Sequence, residues 1–394
     1  MDAKKRVQTM TLLSISTLGQ FSIAVINFGI IFFLRDRFDL SASMIGTFAA
    51  VMTFFYFMGC LFLKRLTSLL KPRHSVEIGA LGMGTFGGLI LFLPTVPLAL
   101  ISFALYGLLM SFYWPPLMGW LTRGLEGREL SRTVSYFNLS WSSGIILAPY
   151  IAGLLTEADI SYSLITAAIT MYLIVTIVVI ATATAPSMRA VESSSRHVNG
   201  HKLKDDSTPF RYVCWLGVLA GYFLFGVTMN IFPIYAREGL HYSESSIGLF
   251  LLVRGLVTTI IFIIMGRLTI WHFNRRIMYG IQLFLAATCL FGIYARGTVT
   301  LFIFFILYGI AFAVTYTNSI FHGVAGAADR ESRMAIHEAM LTLGTILGSI
   351  FGGTIYQYGG YGLVMGIGIF TALVVLGIQV GIVKKLNPLK PAQT

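Results

Sequence analysis

Two ionisable residues stand inside long apolar runs of the chain, Arg254 and Glu338. A charged side chain is costly at membrane depth and normally faces a cavity or a partner. Arg254 can hold a carboxylate or phosphate through two parallel hydrogen bonds, or it can belong to a structural ion pair. Because burial disfavours the charged form of a carboxyl group, Glu338 is a candidate for proton coupling, with His337 and His322 as relay partners. The alternative for Glu338 and the two histidines is that they lie shallow at the cytoplasmic mouth and bind cations of the loops.

Polar and aromatic side chains recur at helical spacing in other apolar runs. At 100° per residue, Gln20 and Asn27 lie within about 40° of each other on one helix face. Such a stripe either packs against other helices or lines a cavity, and tyrosine hydroxyls in an apolar medium also need partners. The residues that we predict to contact a solute are Gln20, Asn27, Tyr106, Tyr113, Asn138, Trp141, Arg254, Tyr308, Thr315 and Thr342.

The sequence lacks the common motifs of enzymes and metal sites. It contains no phosphate-binding G-x-x-x-x-G-K-[ST] loop, no H-E-x-x-H pair and no nucleophile elbow. The three cysteines, Cys60, Cys214 and Cys289, show no metal-binding or redox spacing. We therefore expect neither an enzyme nor a cofactor or metal.

The composition indicates a membrane protein. Hydrophobic residues make up 56% of the 394 residues, charged residues only 11%, and the mean hydropathy is +0.80. A helix needs roughly 20 apolar residues to cross the bilayer core. Twelve such spans are predicted, at 9–34, 44–63, 75–93, 97–121, 134–154, 161–184, 212–236, 246–268, 277–294, 299–322, 334–355 and 361–383.

Positive charge is concentrated on one side of the predicted spans. Of the 28 lysines and arginines, 23 lie on the side of the N-terminus, four lie on the opposite side, and Arg254 lies within a span. This distribution predicts that both termini are cytoplasmic, and we expect a bacterial plasma (inner) membrane as the location. The net charge of +12 thus marks orientation in the lipid bilayer and does not indicate binding to nucleic acid.

The chain is an internal duplication. Residues 19–46 match residues 221–248 without a gap at a constant offset of 202, and the Leu-Tyr-Gly sequence at 105–107 recurs at 307–309. Repeats of this kind are typical of transporters built from two related halves. The predicted organisation is a six-helix half at 1–184, a polar cytoplasmic linker at 185–211 and a second six-helix half at 212–394.

Small residues repeat at four-residue spacing in spans 5 and 11. Small side chains let helices approach closely, and this drives association where lipid removes the usual hydrophobic force. The residues that we predict to pack helices in this way are Gly144, Ala148, Pro149, Ala152, Gly153, Gly344, Gly348, Gly352 and Gly353.

Two loops and one of these small-residue segments resemble motifs of the major facilitator superfamily. Residues 59–73 and 266–276 are similar to its G-x-x-x-D-R-x-G-R-R cytoplasmic loop, although the acidic position holds Leu63 and Ile270. Residues 144–153 resemble the G-x-x-x-G-P-x-x-G-G motif of its exporters, with alanine at two glycine positions. The resemblance implies a monomeric all-helical secondary transporter with twelve spans, in which spans 1, 4, 7 and 10 surround a solute cavity.

Three functions remain open from the residues. The first is proton-coupled export of a small organic or amphipathic compound, favoured by the span 5 motif, the aromatic stripes and Glu338. The second is uptake or exchange of a small organic anion or sugar, favoured by Arg254. The third is a non-transporting membrane scaffold on the same fold.

Overall fold

The computed structural model describes residues 3–122, 127–184, 208–326 and 330–385, and almost all of these residues are helical. The long helices are α1 Ala3–Phe38, α2 Ala42–Phe62, α3 Pro72–Leu89, α4 Val96–Met110 with its continuation Trp114–Thr122, α5 Gly127–Ala158, α6 Tyr162–Thr184, α7 Phe210–Asn230, α8 Glu244–Arg267, α9 Arg275–Tyr294, α10 Thr298–Val324 and a final element at Arg330–Lys385. Short helices occur at Lys64–Leu69, Ile90–Phe92 and Phe232–Ile234, and a π-helical turn occupies Tyr235–Gly239. Residues 185–207 of the predicted linker lie outside the described residues.

The final element holds two membrane spans. Its 56 residues would extend for about 84 Å at 1.5 Å per residue, far more than the bilayer core. The helix is interrupted at Gly360, where φ is 69° and ψ is −179°. We call the part before Gly360 α11 and the part after it α12. Eleven described helices are long and apolar enough to cross a membrane, and because one of them holds two spans, the predicted twelve-span helical fold is confirmed.

Contacts divide the chain into two compact units. The first comprises Met1–Leu40, Phe48–Asn199 and His241–Leu252, and the second comprises Ser41–Thr47, Gly200–Leu240 and Val253–Thr394. Each unit is therefore built mainly from one half of the duplication. The start of α8 belongs to the first unit, and the start of α2 belongs to the second.

The two units repeat one packing scheme. In the first unit α1 packs against α5 and α6, and α3 packs against α4 and α6. In the second unit α7 packs against the final element, and α9 packs against α10 and the final element; α7 packs against α10 as well. The equivalent helices α1 and α7 are the most buried of the spans, so they form the centre of their units.

Small residues of α5 and α11 lie where helices approach most closely. A Cβ atom at Gly144 would overlap the carbonyl oxygen of Thr17 in α1, and one at Gly348 would overlap that of Phe223 in α7. Gly344 and Gly352 also face α7, and Ala148 and Ala152 are fully buried. Larger side chains at these positions would separate the helix backbones.

The same two helices also pack against the first residues of α8 and α2: the start of α8 packs against α5, and the start of α2 packs against α11. In the first unit a Cβ at Gly248 would overlap the carbonyl oxygen of Pro149, and a Cβ at Gly153 would overlap that of Glu244. The second unit repeats the arrangement with Gly46 against the Ser349 carbonyl, and with a Gly353 Cβ only 2.5 Å from the carbonyl oxygen of Ala42. Backbone meets backbone at equivalent places in both copies, which supports the duplication seen in the sequence.

We expect Gly360→Ala to lower the free energy of unfolding by about 1–3 kcal/mol, because its backbone conformation is accessible almost only to glycine. A Cβ there would meet no atom within 4 Å, so the cost arises from the backbone alone. The measurement is the unfolding midpoint of the purified protein in detergent.

Gly366→Ala is the matched control for this substitution. Gly366 also has no atom within 4 Å of a built Cβ, but it lies in regular helix, where alanine is about 1 kcal/mol more favourable than glycine. Equal destabilisation by both substitutions would contradict the assigned role of Gly360.

Candidate functional site

The predicted residues of α1 and α4 divide into exposed and buried groups. Gln20 and Asn27 on α1 are both partly exposed. Tyr113 is fully buried, and its hydroxyl donates a 2.6 Å hydrogen bond to the carbonyl oxygen of Ile15. The Tyr113 ring also fills the space that a Cβ would take at Gly19. Tyr113 therefore joins α4 to α1.

Tyr106 differs from Tyr113 in its polar contacts. It is buried and stacks on Phe103, with ring centroids 5.6 Å apart. Its hydroxyl has no hydrogen-bond partner among the described residues. Burying a hydroxyl without a hydrogen-bond partner costs free energy. The Tyr106 hydroxyl therefore remains available to a further hydrogen-bond partner.

Asn138 and Trp141 form a local pair on α5. The Trp141 Nε1 group donates to Asn138 Oδ1 over 3.2 Å, and Asn138 is exposed. Both side chains belong to the first unit, as do Gln20, Asn27, Tyr106 and Tyr113.

Arg254 lies on α8 in the second unit, surrounded by aromatic rings. Its guanidinium carbon lies 5.2 Å from the ring centroid of Phe225, 5.9 Å from that of Tyr308 and 5.4 Å from that of Phe312. We call these three rings the Arg254 cage. The arginine is 5% exposed, and cation–π attraction to the rings offsets part of its desolvation.

The Arg254 cage leaves the guanidinium incompletely satisfied. Within the described residues, Nε and one terminal nitrogen have no hydrogen-bond partner, and Arg254 forms no ion pair. The Tyr308 hydroxyl donates to the carbonyl oxygen of Gly221 over 3.2 Å and also interacts with the guanidinium. The structural ion pair considered for Arg254 is absent from the described part of the chain.

Two other predicted residues, Thr315 and Thr342, also belong to the second unit. Thr315 is buried and donates within α10 to the carbonyl oxygens of Ala311 and Phe312. Its hydroxyl faces Gly221, just as Tyr113 faces Gly19 at the equivalent position of the first copy. Thr342 on α11 is partly buried.

Aromatic side chains that the sequence analysis missed extend the Arg254 cage along α7 and α10. The Tyr222 ring centroid lies 5.3 Å from that of Phe225, 5.0 Å from that of Phe312 and 6.2 Å from that of Tyr316. The four-residue spacing of Tyr308, Phe312 and Tyr316 is the signal that could have identified them. We call the five residues Tyr222, Phe225, Tyr308, Phe312 and Tyr316 the aromatic cluster.

Glu338 stands beside this aromatic cluster. Its side chain is exposed, and it is close enough to Tyr222 and Tyr316 to interact with both electrostatically. Arg254 interacts with Tyr222 in the same way. A cation and a carboxylate therefore act on one tyrosine of the cluster, and the carboxylate side chain is exposed on the surface of α11.

The two histidines of the predicted relay have different surroundings. His337 is buried, its Nδ1 lies 2.8 Å from the Ser319 hydroxyl, and its Nε2 has no partner among the described residues. Both nitrogens of His322 are engaged: Nδ1 donates to the Asn318 carbonyl oxygen over 2.9 Å, and Nε2 accepts from the Phe273 backbone over 3.0 Å. His322 thus anchors the loop before α9 to α10 and has no nitrogen free to relay a proton.

The described residues contain no group of three or more His, Cys, Asp or Glu side chains that could hold a metal ion.

Comparison with models of known protein families assigns the chain to one family. A family model of the Major Facilitator Superfamily matches residues 12–318 and 214–393. No curated protein matches the sequence.

Solved structures of transporters share the fold. A bacterial homolog of the human lysosomal transporter Spinster, inward-facing and occupied, has a TM-score of 0.74 at 10% identity, covering 98% of this chain and 98% of its own. A peptide transporter, POT, has a TM-score of 0.72 at 12% identity, covering 95% and 94%. The nucleoside transporter NupG has a TM-score of 0.69 at 14% identity, covering 95% and 98%. At these identities the likeness concerns the fold.

We expect Tyr113→Phe to lower the free energy of unfolding by about 1 kcal/mol, because it removes the hydrogen bond to Ile15. Tyr106→Phe removes a hydroxyl that has no partner, so it should leave stability unchanged or raise it. Denaturant unfolding of both variants in detergent compares two phenylalanine substitutions on one helix. Equal losses would show that the Tyr106 hydroxyl has a structural partner.

Proposed function

Because the chain belongs to the Major Facilitator Superfamily and is a membrane transporter, we propose that it carries a small organic solute by alternating access with proton coupling through Glu338. Secondary transporters bind their solute near the bilayer midplane, between two related halves. We further propose that the protein works as a monomer in the plasma membrane with both termini cytoplasmic, as the distribution of basic residues suggests.

The observation that carries this proposal is that Arg254 and Glu338 both lie beside the same aromatic cluster and both interact with Tyr222. Arg254 is buried with two nitrogens unpartnered among the described residues, whereas Glu338 is exposed. Charged residues kept at membrane depth normally serve a substrate or ion pathway. In the proposed mechanism the exposed carboxylate takes up and releases the coupled proton while a solute occupies the cluster.

Export is the first candidate direction. It is supported by the small-residue segment of α5, which resembles the exporter motif and packs closely on α1 through Gly144. In export, the proton and the solute move in opposite directions.

Uptake or exchange of a small anion is the second candidate, and Arg254 favours it. A bound anion close to the aromatic cluster would repel an ionised Glu338 and tolerate a protonated one. The anion and the proton would therefore bind together and cross in the same direction.

Opposed pH gradients in proteoliposomes distinguish these candidates. The radiolabelled probes are ethidium, glucose and naphthalene sulfonate, which represent lipophilic cations, sugars and aromatic anions. An acidic interior should drive accumulation of an exporter's solute, and an alkaline interior should drive accumulation of a solute that moves with protons. Accumulation independent of either gradient would contradict proton coupling.

We expect Glu338→Gln to abolish gradient-driven accumulation, with a loss of about 10-fold or more, while exchange between preloaded and external solute continues. The amide keeps the shape of the side chain but cannot carry a proton. The assay is initial uptake with and without the pH gradient.

Glu77→Gln is the control for this loss of a carboxylate. Glu77 lies near the start of α3 and pairs with His74, whose Nδ1 is 3.0 Å from its carboxylate. This variant should retain gradient-driven uptake. If Glu338→Gln also retains it, Glu338 is not the coupling group.

A further inference from the structure

We infer that the Arg254 cage is the subsite for one chemical class of solute, an organic anion with an aromatic body. This inference rests on the proposed transport function and names its substrate class. It follows from the unpartnered donors of Arg254, the surrounding rings and the difference between the two copies of the repeat.

The cage stabilises the guanidinium charge but leaves donors without acceptors. The rings of Phe225 and Phe312 attract the charge through their faces and offer no hydrogen-bond acceptor. The N–H groups of a guanidinium lie in its plane, and two of its nitrogens have no partner in the described part of the chain. The group that would complete this site is an anionic acceptor, because Arg binds carboxylate, sulfonate or phosphate oxygens with charge-assisted hydrogen bonds.

The accessible surface beside the arginine is aromatic. Tyr222, Phe225 and Tyr316 are partly exposed, and their neighbours Tyr308 and Phe312 are buried behind them. A flat aromatic body can stack on or meet such rings edge-on. A sugar would need many polar partners, and the described cluster offers only tyrosine hydroxyls beside the guanidinium, so the combination of ring faces and unpartnered donors suits an aromatic anion.

The first copy of the repeat shows that helix packing does not require the arginine. A Cβ atom added to Gly309 would lie 2.9 Å from the carbonyl oxygen of Arg254. At the equivalent position of the first copy, a Cβ atom added to Gly107 would overlap the carbonyl oxygen of Met52. Met52 is 7% exposed and occupies its place without a charge. A methionine and an arginine therefore both satisfy this backbone contact, so the contact alone does not account for the charge.

The test is equilibrium binding of naphthalene sulfonate to the purified full-length protein in detergent, without any gradient. The sulfonate is anionic across the accessible pH range. Neutral naphthalene sulfonamide and the non-aromatic anion methanesulfonate are the matched probes. We expect saturable binding of the sulfonate and affinities at least about 10-fold weaker for both other probes, because each lacks one of the two interactions.

Arg254→Met introduces the residue of the first copy and should weaken sulfonate binding by about 10-fold or more. Arg254→Lys keeps the charge but not the planar donor group, so its affinity should be intermediate. Phe225→Ala should weaken binding of the naphthalene probe and leave the affinity for methanesulfonate unchanged. Glu338→Gln should bind the sulfonate at least as well as the wild type, because a nearby negative charge is removed.

Several results would overturn the inference. These are equal affinity for the sulfonate and the sulfonamide, unchanged binding in folded Arg254→Met, and no saturable binding of the sulfonate to the wild type. If Arg254→Met does not fold, the inference is overturned when the single variants Arg254→Lys and Phe225→Ala both bind the sulfonate with wild-type affinity. Gradient-driven uptake of ethidium or glucose alone would preserve the transport proposal and reject this substrate class.

Discussion

The structure depends on helices meeting without the hydrophobic force that drives association in water. In lipid every backbone group is satisfied within its own helix, so helices associate through close packing and a few polar contacts. Glycines supply that approach here. At Gly248 and Gly46, carbonyl oxygens of Pro149 and Ser349 occupy the space of a missing side chain, and the helix positions that carry the site follow from such contacts.

The duplication has preserved these backbone contacts while the side chains around them diverged. Gly19 and Gly221 occupy equivalent places in α1 and α7, yet Tyr113 faces the first and Thr315 the second. The tyrosine hydroxyl reaches Ile15, whereas the threonine donates within its own helix. Equivalent glycines thus face a large side chain in one copy and a small one in the other, which leaves room for functional specialisation in one copy.

The main chemical difference between the copies is the charge on α8 and the carboxylate on α11. Arg254 is surrounded by rings and the Glu338 side chain is exposed, and both act electrostatically on Tyr222. The first copy has no charge at either place: Met52 corresponds to Arg254 at the offset of 202, and Asn138 corresponds to Glu338 at the offset of 200 that relates Gly144 to Gly344. The second half therefore carries the ionisable groups through which the proposed transport would operate.

The sequence alone determined the medium, the twelve spans and the duplication, because hydropathy and a constant offset of 202 residues can be read along the chain. It also singled out Arg254 and Glu338 as candidates, since a charge in an apolar run is conspicuous. Only the tertiary structure decided which side chains accompany them. The rings of Phe225 and Phe312 come from helices far apart in sequence.

The predicted proton relay of Glu338, His337 and His322 shows the same limit of sequence analysis, which does not reveal the neighbours of a side chain. His322, His337 and Glu338 look alike as polar residues near the ends of spans, and sequence spacing could not separate them. The fold engages both nitrogens of His322, buries His337 and leaves the Glu338 side chain exposed. Hydrogen-bond partners such as the Phe273 backbone are set by how the helices and loops pack, and no local pattern encodes that packing.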